Sequence, residues 1–254
     1  MIPLKDDAPR VGTPFVTYTL IAANVVVFLF ELMIGPGGRE VLFLQLGVVP
    51  AFIQSVAFNH GYLSSQATNN LLQLAPQLGQ IRYVTSGAAF VPLLTSMFIH
   101  GGWLHLLFNM WFLWIFGDNV EDSLGHGWYL LFYFVCGIAA SLFYTLLNAG
   151  SVVPTVGASG AIAGVMGGYF VIYPRARVLT LVPFFFIFFM WLPAWIILGY
   201  WFVGQFLSGA ATSLGVHGGN QGGIAFWAHV GGFLTGIFLI KLFPARTRRY
   251  YYGL

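Results

Sequence analysis

Long apolar stretches separated by short polar segments run through most of the chain. A helix that crosses a bilayer needs about 20 mostly apolar residues, and six stretches come close to that length. We predict membrane spans at 14–34, 97–117, 125–147, 157–173, 183–207 and 223–243. Pro183 and Pro193 interrupt the fifth stretch, so a partly inserted loop followed by a span from near Pro193 is an open alternative. The pattern predicts an all-α membrane protein, a bundle of six transmembrane helices.

Segment 35–90, which joins the first two spans, is apolar only in part. Its stretch "EVLFLQLGVVPAFIQSVAF" is interrupted by Gln45, Pro50 and Gln54. Polar residues and proline at such positions favour short amphipathic helices at a membrane surface over a span. We therefore predict a long interfacial loop between helices 1 and 2.

Basic residues are divided unequally between the two faces that six spans define. Eight fall on the face that carries both termini, and two fall on the other. The eight are Lys5, Arg10, Arg175, Arg177, Lys241, Arg246, Arg248 and Arg249, and the two are Arg39 and Arg82. Since Lys and Arg are enriched in cytoplasmic loops, both termini are predicted to be cytoplasmic. The six-helix domain at 14–243 then lies between a cytoplasmic tail at 1–13 and a basic cytoplasmic tail at 244–254.

Composition supports a multi-pass integral membrane protein. The chain of 254 residues is 58% hydrophobic and 7% charged, whereas soluble domains carry about a quarter charged residues. Its net charge of +3 is small, which argues against a nucleic-acid partner. Short tails without a presequence fit a prokaryotic inner (plasma) membrane, and an organellar membrane stays open.

Five polar side chains are predicted to share one depth of the membrane. The second, fourth and sixth spans all begin at the outer face, and their polar residues lie near these beginnings. These residues are His100, His105, Asn109, Ser159 and His229. Because His and Asn are costly in hydrocarbon without partners or water, we predict a shared hydrated pocket below the outer surface.

Small residues recur every four positions in the fourth and sixth spans, which allows two helix backbones to approach closely. They are Gly160, Gly164 and Gly168 in the fourth span and Ala228, Gly232 and Gly236 in the sixth. Ser159 precedes the first of these ridges, and His229 follows the first residue of the second. If the ridges face each other, Ser159 and His229 come within side-chain reach.

These polar residues are of the types that acyl-transfer chemistry uses. Ser159 is near the amino end of its predicted helix, where free backbone N–H groups would stabilise an oxyanion. His105 and Asn109 are four residues apart, so they point from one helix face and could donate to the same oxyanion. Alternatively, these two residues are polar contacts between helices.

The chain lacks residues that other protease mechanisms require. The acidic residues are Asp6, Asp7, Glu31, Glu40, Asp118, Glu121 and Asp122, and none lies in the second, fourth or sixth span at the outer level. This excludes a pair of catalytic aspartates and a Ser–His–Asp triad, and the zinc motif HExxH is absent. A two-residue catalyst remains, with Ser159 activated by His229. The acidic cluster at 118–122 is expected to cap the turn into the third span.

Three motifs in order, "HGGWLHLLFNM", "GASG" and "AHVGGFLTG", resemble those of the rhomboid intramembrane serine proteases. The resemblance covers about residues 14–243. It implies a Ser159 nucleophile, a His229 base, and an oxyanion hole of His105, Asn109 and the N–H groups at Ser159, with Gly157 packed nearby. It also implies single-span membrane proteins as substrates, cut near the outer face, and neither a cofactor nor a metal.

The chain departs from the family pattern at two places. "FVPLLTS" stands where many members carry a Trp-Arg pair, and Ala163 stands where some carry a Tyr that packs on the histidine. We therefore expect another aromatic residue, such as Trp227, to support the His229 ring. His100 is expected to bond to the 35–90 loop.

Two other function classes are open at this point. An inactive relative could bind and escort transmembrane helices, although such relatives usually lack the serine or the histidine. A channel or small transporter could use the polar pocket, although the predicted bilayer core has no acidic residue to couple a cation.

Overall fold

A computed structural model describes residues 1–74, 88–184, 186–214 and 225–244, and these are mostly helical. In chain order its elements are β1 (Ile2–Asp6), α1 (Phe15–Met33), α2 (Gly35–Leu46), α3 (Pro50–Phe58), α4 (Ser65–Leu74), α5 (Pro92–Thr95), α6 (Trp103–Leu124), α7 (His126–Leu147), α8 (Ser159–Ile172), β2 (Arg177–Phe184), β3 (Phe186–Pro193), α9 (Ala194–Ser213) and α10 (Phe226–Leu239). Helices therefore occupy all six stretches predicted as spans, with changed bounds. Most of the predicted basic tail at 244–254 lies outside the described residues.

Helix α8 is the centre of the bundle. Every residue from Ala161 to Tyr169 is buried, because α6, α7 and α10 pack around this helix. Its high content of glycine and alanine allows three neighbours to approach at once, since small side chains keep backbones close. The main core therefore forms around the helix that begins with Ser159.

The small-residue ridges of α8 and α10 meet. A Cβ on Gly232 would collide with the carbonyl oxygen of Gly160, and a Cβ on Gly236 would collide with that of Gly164. The open sides of Gly160 and Gly164 themselves face Ala140 and Cys136 of α7. Glycine in α8 therefore serves two interfaces, with α7 on one side and α10 on the other.

The expectation of an all-α protein holds only in part, because the described residues, although mostly helical, include a three-stranded antiparallel sheet in the order β1-β2-β3. Strands β2 and β3 pair along their whole length, from Arg177 opposite Pro193 to Phe184 opposite Phe186. Strand β1 pairs with β2 and includes residues predicted as a tail. A short apolar run rich in β-branched and aromatic residues is ambiguous between helix and strand, which explains the error.

The fifth helix consequently begins at Ala194 rather than at 183. Pro193 immediately precedes it, a position where the missing backbone N–H and fixed φ of proline do not disturb the helix. The start of this helix thus agrees with the alternative of a span from near Pro193. The second predicted span is shifted as well, because residues 97–102 form a 3₁₀ turn and a Gly101-Gly102 loop before α6.

The N-terminal segment is anchored to the bundle end opposite Ser159. Trp111 Nε1 donates to the carbonyl oxygen of Pro3 at 2.7 Å, and Asn119 Nδ2 donates to Asp6 at 2.9 Å. The Tyr169 hydroxyl also donates to Asp6. Burial raises the pKa of Asp6 to about 6, partly offset by the hydrogen bond from Tyr169.

The acidic cluster caps the first helix instead of the turn into the third span. Glu121 is buried and accepts hydrogen bonds from the N–H groups of Val16 and Thr17, both at 2.8 Å. Asp122 accepts the N–H of Gly12 at 2.8 Å. These N–H groups lie at the start of α1, where no intrahelical acceptor exists. His126, with Nδ1 2.6 Å from Glu121, links the cluster to the turn into α7.

Three of the described helices, α1, α7 and α9, are long and apolar enough to cross a membrane. Helices α8 and α10 are apolar but have 14 residues each. Helix α6 has 22 residues and carries its acidic cluster near the carboxyl end. In the described part of segment 35–90, the chain forms the short helices α2, α3 and α4.

Candidate active site

Ser159 is the first residue of α8, and the loop before it is held in an unusual conformation. Gly157 has a φ of +123°, which a residue with a side chain rarely adopts. Its N–H donates to the carbonyl oxygen of Ser96 at 2.8 Å. A Cβ at Gly157 would lie 2.7 Å from Nε2 of His105. Glycine is therefore required here both by the backbone and by the close approach of His105.

The structure brings Ser159 and His229 together. Oγ of Ser159 lies 2.8 Å from Nε2 of His229, a distance typical of a hydrogen bond. His229 lies in the first turn of α10, and the glycine contacts described above hold this turn against the start of α8. Both side chains are half-buried.

Two residues of α9 surround the other side of the His229 ring. Oε1 of Gln205 lies 2.6 Å from Nδ1 of His229. The indole of Trp201 packs beside the imidazole, with 5.7 Å between ring centroids and 35° between planes. With the Gln205 amide oxygen facing it, Nδ1 is placed to donate, and Nε2 is then free to accept the hydroxyl of Ser159.

The expectation that Trp227 supports the His229 ring is wrong. Trp227 donates to Ser213 Oγ at 3.0 Å and packs against Phe206. Sequence analysis did not identify Trp201 or Gln205. A signal was present, because glutamine is costly in an apolar helix without a partner, and Trp201 lies one turn before it on the same face.

His105 and Asn109 lie beside the loop that precedes Ser159. Nδ1 of His105 accepts the N–H of Gly101 at 3.3 Å, which leaves the proton on Nε2, the nitrogen nearest Gly157. Nδ2 of Asn109 is buried and has no hydrogen-bond partner among the described residues. Two donors thus lie on the same side of the serine loop.

The loop before α6 is fixed through the backbone of His100. Its N–H donates to Glu31 at 3.0 Å, and its carbonyl oxygen accepts from Arg39 at 3.1 Å. The expected bond between His100 and the 35–90 loop is therefore present, but through the main chain, since Arg39 belongs to α2. The His100 ring packs edge-on to the His105 ring, with 5.2 Å between centroids.

A small cavity lies next to Ser159 on the side of α7. Small residues form much of its wall, among them Gly137, Gly160, Ala225 and Ala228. The wall leaves room for a small side chain beside the serine hydroxyl. Within the described ranges no three His, Cys, Asp or Glu residues are grouped to hold a metal ion.

Comparisons with known proteins agree on one family. The Rhomboid domain family model matches residues 87–246. Rhomboid protein 1, mitochondrial, of Saccharomyces cerevisiae is 32% identical over 159 residues, which cover 61% of this chain and 41% of that protein. Rhomboid-like protein 11, chloroplastic, of Arabidopsis thaliana is 31% identical over 170 residues, covering 63% and 55%.

A bacterial relative is similar over a shorter region. Rhomboid protease GluP of Bacillus subtilis is 41% identical over 75 residues, which cover 30% of this chain and 14% of that protein. The chain spans about half the length of the mitochondrial and chloroplastic relatives that it matches. The family match covers well over half of the chain and includes Ser159 and His229. Together with the apolar helices, it identifies an integral membrane protein that belongs to the rhomboid family.

Proposed function

We propose that the protein is an intramembrane serine endopeptidase that hydrolyses peptide bonds of single-span membrane proteins near the outer face of the bilayer. The observation that carries the proposal is the 2.8 Å contact between Ser159 Oγ and His229 Nε2. A serine hydroxyl bonded to a neutral imidazole nitrogen is the arrangement that nucleophilic catalysis requires. Family membership supports the same chemistry.

Acylation begins when Ser159 Oγ attacks the carbonyl carbon of the scissile bond and its proton passes to His229 Nε2. The carbonyl electron pair moves to the oxygen, which becomes an oxyanion. The backbone N–H groups at the start of α8 and the side-chain donors of His105 and Asn109 are arranged to stabilise it. Collapse breaks the C–N bond, and Nε2 returns its proton to the leaving amine. An acyl ester on Ser159 remains.

Deacylation uses water that enters from the outer side. Nε2 of His229 takes a proton from the water as its oxygen attacks the ester carbon. The second tetrahedral intermediate uses the same donors. Its collapse releases a carboxylic acid, and Ser159 Oγ recovers the proton from Nε2. The bonds and protons of acylation and deacylation balance without a cofactor or metal.

Six transmembrane helices, α1, α6, α7, α8, α9 and α10, are part of the proposal, with both termini cytoplasmic. A 14-residue helix is about 21 Å long at 1.5 Å per residue, whereas the hydrocarbon core is about 30 Å thick. If the carboxyl end of α8 lies at the cytoplasmic surface, Ser159 at its amino end lies below the outer surface. The polar ends of α6 and α10 supply the pocket that admits water.

A small side chain before the scissile bond fits the cavity beside Ser159. The cavity is small although Gly137, Gly160 and Ala228 line it, so a large side chain would meet the backbone of these residues. Binding in an extended form also requires the substrate helix to unwind, which small and helix-breaking residues favour. Single-span proteins that carry such residues near their outer end are the proposed substrates.

The membrane in which the protein works stays a prediction. The names of two relatives refer to mitochondria and chloroplasts, while a third relative comes from a bacterium. These names give no support for a prokaryotic inner membrane over an organellar one.

Substitution of Ser159 tests the proposed activity directly. We expect Ser159→Ala and His229→Ala to reduce cleavage of a single-span substrate in proteoliposomes by at least about 10⁴-fold, because neither residue works without the other. A fluorophosphonate should label the wild-type protein at Ser159 and label neither variant. Cleavage and labelling are measured by gel electrophoresis and mass spectrometry.

Ser208→Ala is the matched control, since this serine is half-buried in α9 and lies outside the site. It should cleave and label as the wild type does. Full cleavage by Ser159→Ala would reject the mechanism. A folded wild-type protein that neither labels nor cleaves any single-span substrate, but binds them, would favour the inactive escort instead.

A further inference from the structure

We propose that Gln205 is a positioning residue that holds the His229 imidazole in the tautomer and orientation needed for catalysis. This inference rests on the function proposed above and adds a third member to the Ser159–His229 pair. Gln205 acts through His229 and has no contact with the reacting bond.

The hydrogen-bond geometry determines which nitrogen of His229 carries the proton. Gln205 Oε1 is 2.6 Å from Nδ1, and Ser159 Oγ is 2.8 Å from Nε2. Because an amide oxygen cannot donate, Nδ1 must. With Oε1 turned towards the ring, the opposite tautomer would place two acceptors against each other at Nδ1 and would leave Nε2 unable to accept the serine proton. In this orientation Gln205 therefore favours the catalytically useful form.

Trp201 restrains the same ring in a second direction. It lies one turn before Gln205 on α9, so both side chains project from one helix face. Its indole packs beside the imidazole with 5.7 Å between centroids, which restricts tilting of the ring, while the Gln205 bond restricts its rotation. Together they hold His229 from the side opposite Ser159.

The surroundings of Gln205 distinguish it from the rest of α9. Large apolar side chains of this helix are exposed on other faces, among them Tyr200, Val203 and Leu207, where lipid would surround them. Gln205 is half-buried and turned towards α10. The main polar group in the middle of this helix is thus directed at the base of the proposed reaction.

The Gln205 amide can also stabilise a charged His229 ring in a site that has no carboxylate. His229 becomes an imidazolium during each step, and a carbonyl oxygen at Nδ1 stabilises that charge through a hydrogen bond. A carboxylate there would do so more strongly and would also favour the protonated ring before the reaction begins. Replacing Gln205 should therefore affect the rate of chemistry more than the binding of substrate.

Gln205→Leu and Gln205→Glu test this role in the full chain reconstituted in proteoliposomes. We expect Gln205→Leu to lower kcat and the rate of fluorophosphonate labelling about 10- to 100-fold, the loss expected for one hydrogen bond to a charged group, with KM nearly unchanged. Gln205→Glu retains an acceptor and should recover most of the activity, with the acidic limb of its pH–rate profile moved to higher pH. Gln73→Leu, an exposed site on α4, is the matched control and should behave as the wild type.

Any of the following results would overturn the assignment of Gln205 as a positioning residue. Wild-type kcat in a folded Gln205→Leu variant would mean that His229 needs no such support. Equal losses in both variants with an unmoved pH profile, or a change in KM alone, would indicate packing or substrate contact. In all these cases a labelled and active wild-type protein leaves the proposed function intact, whereas an inactive wild type would reject that function first.

Discussion

At the scale of single residues, the site contains a donor without a partner. Nδ2 of Asn109 is buried and unbonded among the described residues, although an unsatisfied buried polar group costs about 1–3 kcal/mol. On the same helix, Asn119 Nδ2 bonds to Asp6 at 2.9 Å. A bonded amide stabilises the fold, while in the proposed mechanism the unbonded amide next to the serine loop donates to the oxyanion.

We expect Asn109→Ala to lower kcat by about 10²-fold, as removal of one oxyanion donor does elsewhere, with little change in stability. Asn119→Ala is the matched control and should do the reverse, lowering the melting temperature with kcat unchanged. Cleavage kinetics and thermal unfolding in detergent measure both. A destabilised Asn109→Ala variant with normal kcat would assign Asn109 to packing between helices.

At the scale of elements, the contact between α8 and α10 sets the distance between Ser159 and His229, the proposed nucleophile and base. Ser159 and His229 are each at the start of one of these helices, so any separation of the helix axes moves their side chains apart. Gly232 touches the carbonyl of Gly160 with no room for a Cβ. Gly232 lies one turn after His229 on α10. The 2.8 Å hydrogen bond between Ser159 and His229 therefore depends on this glycine.

We expect Gly232→Ala to destabilise the fold by about 1–3 kcal/mol through overpacking and to reduce the cleavage rate. Gly204→Ala on α9 is the matched control, because a Cβ there meets nothing within 4 Å. It should be neutral or slightly stabilising, since alanine favours helix by up to about 1 kcal/mol. Equal unfolding temperatures for the two variants would contradict the close contact.

At the scale of the whole molecule, the sheet brings the N-terminal segment and the segment after α8 to the same end of the bundle. Strand β1 precedes α1, and its partner β2 follows α8, so both strands lie at one end of the bundle. The helices α1, α6, α7 and α8 lie between them in the chain. Four crossings return the chain to the side where it started, which agrees with cytoplasmic placement of both segments.

We expect a cysteine at Gly150 to react with an impermeant thiol reagent on intact cells, and one at Arg175 to react only after permeabilisation. Both positions are exposed, and six spans put the first outside and the second in the cytoplasm. The measurement uses a Cys136→Ala background. Reaction at 175 with protection at 150 would reverse the proposed topology.

Much of the helical scaffold follows from local properties of the sequence. Apolar stretches of about the length needed to cross a bilayer predicted all six helices. The four-residue spacing of glycine indicated that α8 and α10 touch. This spacing also led to Ser159 and His229, because close helix packing leaves few ways to arrange their first turns. The strand pair at 177–193 was missed because a short apolar run does not distinguish a strand from a helix.

Sequence by itself thus determined a helical membrane protein, its polar residues at one level, and the motifs shared with rhomboid proteins. Only the tertiary structure decided what surrounds them: Gln205 and Trp201 against His229, Glu121 at the start of α1, and β1 beside β2. Each of these contacts joins residues far apart in the chain, for example 104 positions between Thr17 and Glu121. Local pattern carries no information about such partners, since folding alone sets which distant polar groups meet.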